Sequence, residues 1–304
     1  INNQAAADML FDVAKHWLLQ RGMEAMDGPI NFGERDRWWG LVVKGHELSP
    51  MYCMSFNSSY YQELFENYGF KNFFNQICFG MKVKNRIREK FYERHAVCTR
   101  DPNYSSAHIK KNQLDKFARD FTYVYNKAWA GHGGGKSLEE KQVIKMFNTM
   151  KPVMDEHLSW FVYYKDEPIA IWINLPDLNQ WFKHLNGKFG LLQQLQFLWL
   201  KATRKNTKFT GLVFGIVPEF QGRGAASYLI VEGCKVIQGL TIRNGEYLLG
   251  NSIYDDYEMQ WIGEFNPKMI NVAEGITENR SRILRTYRYL FDRSKEFKRH
   301  PILH

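Results

Sequence analysis

The stretch IVPEFQGRGAASYL, from Ile216 to Leu229, joins two apolar patterns through a loop of small residues and one arginine. The preceding run FTGLVFGIVP is rich in β-branched and aromatic residues, which is typical of a buried strand. The following segment ASYLIVEGCKVIQ repeats its apolar residues at helical spacing. The sequence therefore predicts a strand that enters a helix through the loop at 218–226.

Two interpretations of this loop differ in function: it is either a tight turn or a site for an anion. The first turn of a helix has backbone N–H groups without partners and the positive end of the helix dipole. A diphosphate could approach those N–H groups because the side chains beside them are small: Gly222, Gly224, Ala225 and Ala226. Gln221 and Arg223 can add side-chain donors. A glycine-rich loop alone is weak evidence, but the order of strand, proline, loop and helix favours the anion site.

The composition limits the class of protein. The chain has 304 residues, of which 44% are hydrophobic and 24% charged, enough for two globular domains. It contains no apolar run of about 18 residues, so no membrane span is predicted. The four cysteines are scattered without metal-ligand spacing, which predicts reduced thiols, no metal site and a cytoplasmic protein. The net charge of +9 favours an anionic partner such as a phosphorylated cofactor, while nucleic acid is disfavoured because no binding motif accompanies the charge.

The first 85 residues follow the order helix, strand, helix, strand. The periodicity predicts a helix over Ala5–Gln20, then strands at WWGLVV and MYCMSF. A second helix is expected in NSSYYQELFENYGF, with Asn57 as its N-cap and Gly69 as its end, followed by a strand at FNQICFGMKV. Residues 86–106 are charged and are interpreted as a linker.

Residues 107–304 contain the elements of one complete domain. Two helices are predicted before a β-hairpin over Leu158–Leu175 that turns at Lys165–Glu167. Helical segments, the strand and helix on either side of the loop, and a final order of strand, FN, helix and strand follow. That final order also occurs in residues 5–83, which suggests two related domains, the first without its front half, and an upstream segment before Ile1.

The loop and its surroundings resemble the GNAT (GCN5-related N-acetyltransferase) superfamily. Its acetyl-coenzyme A signature is Q/R-x-x-G-x-G/A, which Gln221, Gly224 and Ala226 match. The hairpin, the strand at 210–217 and the elements to Phe291 are similar as well, over about 200 residues. The resemblance implies an α+β fold of tandem GNAT type, with a mixed central sheet flanked by helices. Residues 1–85 would be the back half of a first domain and 107–304 a complete second one.

The resemblance also implies how a cofactor, acetyl-coenzyme A or another acyl-coenzyme A, would bind. Two central strands separate, and the pantetheine arm pairs with the backbone of Phe214–Val217. The Val217 N–H or a near neighbour would polarise the thioester carbonyl, and Gly224→Glu should abolish binding. The predicted cofactor-binding residues are Ile216, Val217, Gln221, Gly222, Arg223, Gly224, Ala225, Ala226 and Asn266.

The catalytic residues are less defined, because the sequence departs from the family pattern N-x-x-A-x-x-x-Y-x-x-x-G-F. Asn266 matches its Asn, but Ala273 stands at the position of the tyrosine that protonates the leaving thiolate. Either Tyr287 or Tyr289 replaces that tyrosine, or the thiolate leaves without a protein acid. For the general base the candidates are carboxylates near the substrate side, Asp255, Asp256 and Glu258, together with Glu264 just before Asn266; of these we select Asp256 and Glu258.

The implied activity is N-acyl transfer from acyl-coenzyme A to an amine by direct attack, on a small-molecule or peptide acceptor. Two alternatives stay open: a non-catalytic module that senses acyl-coenzyme A, and a transferase that uses aminoacyl-tRNA or a long-chain acyl donor. In this family the acceptor would be selected by the segments at 130–137 and 176–208. The string GHGGGKS near His132 lacks the spacing of a nucleotide-binding loop and is interpreted as a connector. The sequence does not indicate an oligomeric state.

Overall fold

The computed structural model describes residues 1–30, 40–129 and 137–303. The chain divides into two compact units. Unit 1 comprises residues 1–79, 260–274 and 278–304, and unit 2 comprises residues 80–259 and 275–277. The predicted α+β class, a mixed sheet flanked by helices, is confirmed. In the ranges given above, no helix combines the length and the apolar character that crossing a bilayer requires.

Unit 1 is built around one long C-terminal strand. Its helices are α1 (Gln4–Leu19), α2 (Tyr61–Tyr68) and most of α9 (Pro267–Ile276). Its strands are β1 (Ala25–Gly28), β2 (Leu41–Lys44), most of β3 (Lys71–Lys82) and β11 (Arg280–Leu290). Strand β11 pairs antiparallel with β1, β2 and β3. The core of the unit is aromatic and is formed by Met26, Leu41, Phe65, Phe70, Tyr287 and Tyr289.

The local predictions for unit 1 are confirmed in part. Helix α2 ends at Gly69, whose φ of +106° is the left-handed conformation that glycine adopts without strain. Asn57 does not cap α2, because its side chain is bonded to the backbone N–H and C=O of Val42. The predicted strand MYCMSF at 51–56 is wrong: this segment is a turn and irregular chain. A β-like composition does not form a strand where no neighbouring strand pairs with it.

Unit 2 carries a five-stranded mixed sheet in the order β4-β5-β6-β7-β10. The strands are β4 (Tyr104–His108), β5 (Trp160–Tyr164), β6 (Glu167–Pro176), β7 (Lys208–Ile216) and the start of β10 (Asp256–Gly263). The first four pair antiparallel, and β10 is parallel to β7. A small hairpin consists of β8 (Thr241–Arg243) and β9 (Glu246–Leu248). The hairpin turn predicted at Lys165–Glu167 is confirmed, with positive φ at Lys165 and Asp166.

The helices that the described residues of unit 2 form are α3 (Glu89–Cys98), α4 (Leu114–Trp129), α5 (Glu140–Met150), α6 (Asn179–Phe182), α7 (Leu191–Thr203) and α8 (Ala225–Ile237). Helix α8 is the most buried, because nine of its residues are enclosed. Its sequence is apolar around most of its circumference, which is expected of a helix inside a layered fold.

The predicted linker at 86–106 is wrong, because this segment contains α3 and the first residues of β4. The charged residues of α3 face solvent, while Phe91, Tyr92, His95 and Cys98 are buried. Their spacing places them on one side of a helix. The charge density of the segment suggested a solvated connector, but a helix with one apolar side fits the same composition. The placement of related domains at 1–85 and 107–304 stays a prediction.

Candidate functional site

The loop between β7 and α8 has the conformation that its glycines permit. A short 3₁₀ turn over Pro218–Phe220 follows β7, and α8 begins at Ala225. Gly222 and Gly224 have φ values of +76° and +94°, in the left-handed region that other residues enter at a cost. Gly224 is the N-cap of α8, and no side chain caps the helix there. The loop therefore presents backbone rather than side chains at the start of the helix.

Several N–H groups of this loop are available to a ligand. Gln221 and Arg223 already donate to the carbonyls of Pro218 and Phe220, at 3.2 and 3.3 Å. Over the part of the chain that the structure describes, no backbone carbonyl accepts from the N–H groups of Gly222, Gly224, Ala225 and Ala226. Gln221, Gly222 and Arg223 are exposed, Gly224 and Ala226 are half-buried, and Ala225 is buried. This is the arrangement expected of a site for a phosphorylated group at a helix N-terminus.

Helix α3 packs against the loop at Gly224. A Cβ placed on Gly224 would lie 2.6 Å from the Sγ of Cys98, so only glycine fits this contact without a shift. The Cys98 thiol also approaches the Arg223 carbonyl at 3.8 Å. Burial raises the pKa of Cys98, so the thiol stays protonated and acts as a weak donor. The loop at 221–226 is thus positioned by α3, which lies in the segment 86–106 that was expected to be a linker.

Aromatic contacts hold the other side of the loop. The ring of Phe220 lies 5.1 Å from that of Tyr164 and 6.5 Å from that of Tyr104, at the ends of β5 and β4. Tyr104 in turn contacts Tyr228 in the first turn of α8. Burial raises the pKa of both Tyr104 and Tyr228 to about 12, so neither ring ionises near neutral pH. These rings fix the loop and supply no charge to it.

A buried ionic network joins α3 to α8. His95 is fully enclosed, and its Nε2 lies 2.8 Å from a Glu232 carboxylate oxygen while Nδ1 lies 2.8 Å from the Tyr247 hydroxyl. Ser106 and Lys235 also donate to Glu232, at 3.1 and 2.5 Å. Burial acts to raise the pKa of Glu232, but the bonds from His95 and Lys235 outweigh it and lower the pKa to about 2. Glu232 therefore holds the two helices together as a carboxylate.

Strand β7 is open along its second half. Its parallel pairing with β10 runs from Lys208 to Gly211 and stops at the Gly211–Met259 pair. On the other side, β7 pairs with β6 as far as Ile216, but the register shifts at Leu212, which is an extra residue in β7. A bulge leaves its extra residue unpaired and turns the local backbone. The bulge at Leu212 therefore lies where the parallel strands β7 and β10 separate.

Two polar side chains meet at this point. A Cβ on Gly211 would collide with the Tyr257 hydroxyl and lie 3.2 Å from Asn174 Oδ1. The hydroxyl accepts a bond from Trp172 Nε1 at 3.1 Å, and burial raises the pKa of Tyr257. Asn174 is fully buried, and among residues 1–30, 40–129 and 137–303 its Oδ1 has no hydrogen-bond partner. A buried acceptor without a hydrogen-bond partner costs free energy, so the Oδ1 of Asn174 is a position where a ligand N–H could donate a hydrogen bond.

On the α4 side, an aromatic pair borders the open strand. The rings of Tyr125 and Trp129 are stacked 4.4 Å apart, and Trp129 occupies the space where Gly215 lacks a side chain. Below the strands, a narrow pocket near Tyr257 and Trp172 is lined almost wholly by apolar groups, among them Met81, Phe209, Ile230 and Ile276.

Sequence reasoning missed Asn174, Tyr257 and Trp129. Glycines 211 and 215 within a strand were the available signal, since a strand glycine often marks a close approach.

The predicted cofactor-binding residues fall into two groups. Gln221 to Ala226 form the loop, and the Gln221 side chain donates to the Ile216 carbonyl at 3.2 Å. The prediction named the Val217 N–H or a near neighbour as the group that polarises the thioester carbonyl. The Val217 N–H donates to the Ile169 carbonyl at 2.9 Å, and the near neighbour stays a prediction. Asn266 belongs to unit 1, and its side chain accepts from the Met269 N–H at 3.1 Å as the cap of α9. Its cofactor role stays a prediction.

The predicted bases are both held in ion pairs. Asp256 lies 2.6 Å from the Lys82 ammonium. Glu258 is 3% exposed and is paired with Lys208. Their role as bases stays a prediction.

The predicted acids belong to unit 1 and lie in its core. Tyr287 is fully buried and donates to a Glu66 carboxylate oxygen at 2.8 Å. Burial raises the pKa of Tyr287 to about 12. Tyr289 packs between Phe70 and Tyr68. These contacts are sufficient to explain both tyrosines structurally, and their catalytic role stays a prediction.

Two further expectations concern the GHGGGKS string and a metal site. The GHGGGKS string with His132 lies outside the described residues, apart from its last residue. Within residues 1–30, 40–129 and 137–303, no cluster of three or more His, Cys, Asp or Glu side chains could hold a metal ion.

Comparison with known proteins gives distant relatives. No family model matches the chain. It is similar to a bacterial ceramide synthase of Caulobacter vibrioides, with 23% identity over 287 residues that span 94% of this chain and 72% of the relative. It is also similar to protein YghO of Escherichia coli, with 22% identity over 88% of this chain and 66% of the relative. The chain thus spans about two thirds to three quarters of the length of these relatives.

Several of the similar solved structures are named as GNAT proteins. A tandem GNAT protein from the clavulanic acid biosynthesis pathway superposes with a TM-score of 0.46 and 8% identity, over 93% of this chain and 69% of that one. A GCN5-related N-acetyltransferase of Sphaerobacter thermophilus superposes with a TM-score of 0.43 and 11% identity, over 79% and 58%. A fungal GCN5-related glucosamine N-acetyltransferase region gives a TM-score of 0.47 and 9% identity, over 92% and 27%.

Proposed function

We propose that this chain is an acyl-coenzyme A-dependent N-acyltransferase of the GNAT type, with its cofactor site in unit 2. The observation that carries the proposal is the set of unpaired N–H groups at the start of α8, beside the open half of β7. Gly222 and Gly224 to Ala226 would bind the diphosphate, and Arg223 would add a charge-assisted bond. The pantetheine arm would lie along β7 from Val213 to Ile216 and complete its hydrogen bonds.

The thioester would then reach the bulge at Leu212. A backbone N–H turned outward by the bulge would stabilise the oxygen of the tetrahedral intermediate, in place of the Val217 N–H. The unpaired Oδ1 of Asn174 would accept an amide N–H of the pantetheine arm. Both assignments depend on the cofactor lying where the strands part.

The reaction would be a direct transfer. The amine nitrogen attacks the thioester carbon, the C–S bond breaks, and the nitrogen loses a proton. Tyr257 is our candidate for the proton donor to the leaving thiolate, because its hydroxyl lies at the bulge and its raised pKa keeps it protonated. Asp256 and Glu258 remain the predicted acceptors of the amine proton.

For the acceptor we propose a long-chain amino alcohol, and for the donor a fatty acyl-coenzyme A. The similarity to a bacterial ceramide synthase supports this choice, since a ceramide is the amide of such an amine and a fatty acid. The stacked Tyr125–Trp129 pair would contact the alkyl part of the acceptor. The tRNA-dependent alternative is disfavoured because the loop presents the donors that a diphosphate requires.

The experiment is titration calorimetry with coenzyme A, followed by thiol release from palmitoyl-coenzyme A in the presence of long-chain and short amines. Gly224→Glu would also disturb the contact with Cys98, so Ala226→Asp is the sharper variant. A carboxylate in the first turn is compatible with the helix dipole but repels a diphosphate. We expect Ala226→Asp to lose at least about tenfold in affinity and its matched control, Ala226→Ser, to bind normally.

Three outcomes would contradict parts of this proposal. No heat with coenzyme A or with palmitoyl-coenzyme A would exclude the cofactor. Binding without thiol release for any amine would favour the non-catalytic module that senses acyl-coenzyme A. Thiol release with short amines alone would exclude the long-chain acceptor and leave the acyltransferase assignment intact.

A further inference from the structure

Helix α7 has a second apolar side that faces away from the protein. Five large apolar side chains of this helix are more than half exposed. Their exposed fractions are 80, 76, 65, 54 and 58% for Leu191, Leu192, Leu195, Leu198 and Trp199. We call these five residues the outer face of α7. Phe189, just before the helix, is also 54% exposed.

The opposite side of α7 is anchored in unit 2. Phe197 and Leu200 are 4% and 2% exposed and form a core cluster with Leu178, Trp181 and Leu185. At about 100° per residue, the outer face covers an arc of about 120° centred opposite this anchor. The buried contacts of the helix are made by this anchor, so the outer face is not part of the core cluster of the unit. A contiguous exposed apolar patch of this kind marks a binding surface.

The charged residues in the segment that contains α7 are of one sign. Residues 178–206 contain no Asp or Glu but contain five cations, Lys183, Lys188, Lys201, Arg204 and Lys205. Four of these cations are exposed, and Lys201 is half-buried and bonded to the Pro152 carbonyl. An apolar stripe with a tryptophan, in a segment whose charged residues are all cations, complements a surface that is apolar inside and anionic at its boundary.

We propose that the outer face of α7 inserts into the interface of an anionic lipid membrane. The 13 residues of α7 are too few for a span, which needs about 20, so the helix would lie in the membrane plane. Its leucines and Trp199 would enter the boundary between headgroups and acyl chains, and Lys183, Lys188, Arg204 and Lys205 would contact lipid phosphates. A second copy of this chain fits less well, because two such cationic segments would repel each other.

This inference does not depend on the proposed activity, because it rests on the exposure and charge of α7 and its flanking residues, although the family resemblance implies that residues 176–208 select the acceptor. It would nevertheless explain how a long-chain amine reaches the enzyme, since such amines reside in membranes. A failure of lipid binding would leave the coenzyme A site unaffected, and a failure of coenzyme A binding would leave the lipid surface unaffected.

The test is flotation of the full chain with vesicles of phosphatidylcholine, alone or mixed with phosphatidylglycerol. We expect binding to the mixed vesicles that weakens with added salt. The triple variant Leu192→Ser, Leu195→Ser and Trp199→Ser should bind roughly 100-fold less, because three exposed apolar side chains are lost from the inserted face. Far-UV circular dichroism and coenzyme A calorimetry would verify that this variant is folded.

A matched control is available in α1. Met9, Leu10 and Val13 are also exposed, at 70, 71 and 70%, but α1 carries Asp8 and Asp12 beside them. The variant Met9→Ser, Leu10→Ser and Val13→Ser should bind the mixed vesicles as the unmodified chain does. Loss of binding in this control, with normal binding in the α7 variant, would overturn the proposal.

A charge variant separates electrostatics from insertion. Lys183→Gln, Lys188→Gln and Lys205→Gln together should remove most of the preference for phosphatidylglycerol, at roughly fivefold per lysine. No binding of the unmodified chain to either vesicle would overturn the proposal. A dimer that the α7 serine variant converts to a monomer, without any vesicle binding, would also overturn it and assign the outer face to a second copy.

Discussion

The contact between Gly224 and Cys98 gives the sharpest prediction about the loop. Gly222 and Gly224 both have positive φ, but only Gly224 lacks space for a side chain. A Cβ on Gly222 would meet nothing within 4 Å, whereas one on Gly224 would lie 2.6 Å from Cys98 Sγ. Gly222→Ala and Gly224→Ala therefore share the cost of placing alanine at positive φ, and only Gly224→Ala adds the steric collision with Cys98.

The magnitudes follow from these two effects. An alanine in the left-handed region costs about 1 kcal/mol, which is the whole cost expected for Gly222→Ala. Overpacking a tight contact adds about 1–3 kcal/mol, so Gly224→Ala should lower the free energy of unfolding by about 2–4 kcal/mol. Cys98→Ala in the Gly224→Ala background removes the obstructing sulfur. We expect it to recover about 1–2 kcal/mol, measured as the coupling energy of a double-mutant cycle.

The assay is urea denaturation of the four proteins of this cycle and of Gly222→Ala, followed by tryptophan fluorescence. Coenzyme A calorimetry on the same proteins tests whether the collision also moves the loop. Equal destabilisation by the two glycine variants, or a coupling energy near zero, would refute the claim that α3 supports the loop through Cys98.

Three further predictions concern the network, the acid and the acceptor. Because the pKa of Glu232 is lowered from 4.5 to about 2, its contribution to stability is present above pH 4.5 and is lost as the pH falls towards 2. Glu232→Gln should therefore lower the free energy of unfolding by about 3 kcal/mol at neutral pH. The stability of this variant should also fall less steeply between pH 4.5 and 2 than that of the unmodified chain, and an equally steep fall in both proteins would contradict the prediction. Tyr257→Phe should lower kcat for thiol release by about 100-fold without changing coenzyme A affinity, and normal turnover would exclude Tyr257 as the acid. Trp129→Ala should raise KM for a long-chain amine by about tenfold while leaving coenzyme A binding intact, and an unchanged KM would remove Trp129 from the acceptor site.

The local elements of unit 2 were predictable because their signals are local. The hairpin at Lys165 and Asp166, strand β7 and helix α8 are each specified by periodicity and turn residues within a short window. The loop at 221–226 was predictable for the same reason, since its glycines adopt a conformation that depends on their own backbone. Helix α3 was missed because it is as rich in charged residues as in buried ones, although Phe91, His95 and Cys98 recur at helical spacing.

The sequence by itself determined the order of elements, the chemistry of the loop and the absence of a tyrosine at position 273. Only the tertiary structure decided that Cys98 lies under Gly224 and that the Val217 N–H is already bonded. It also brought Tyr257 and Asn174 to the bulge at Leu212. These contacts join residues far apart in the chain, and no spacing rule encodes which distant side chain fills the space that a glycine leaves.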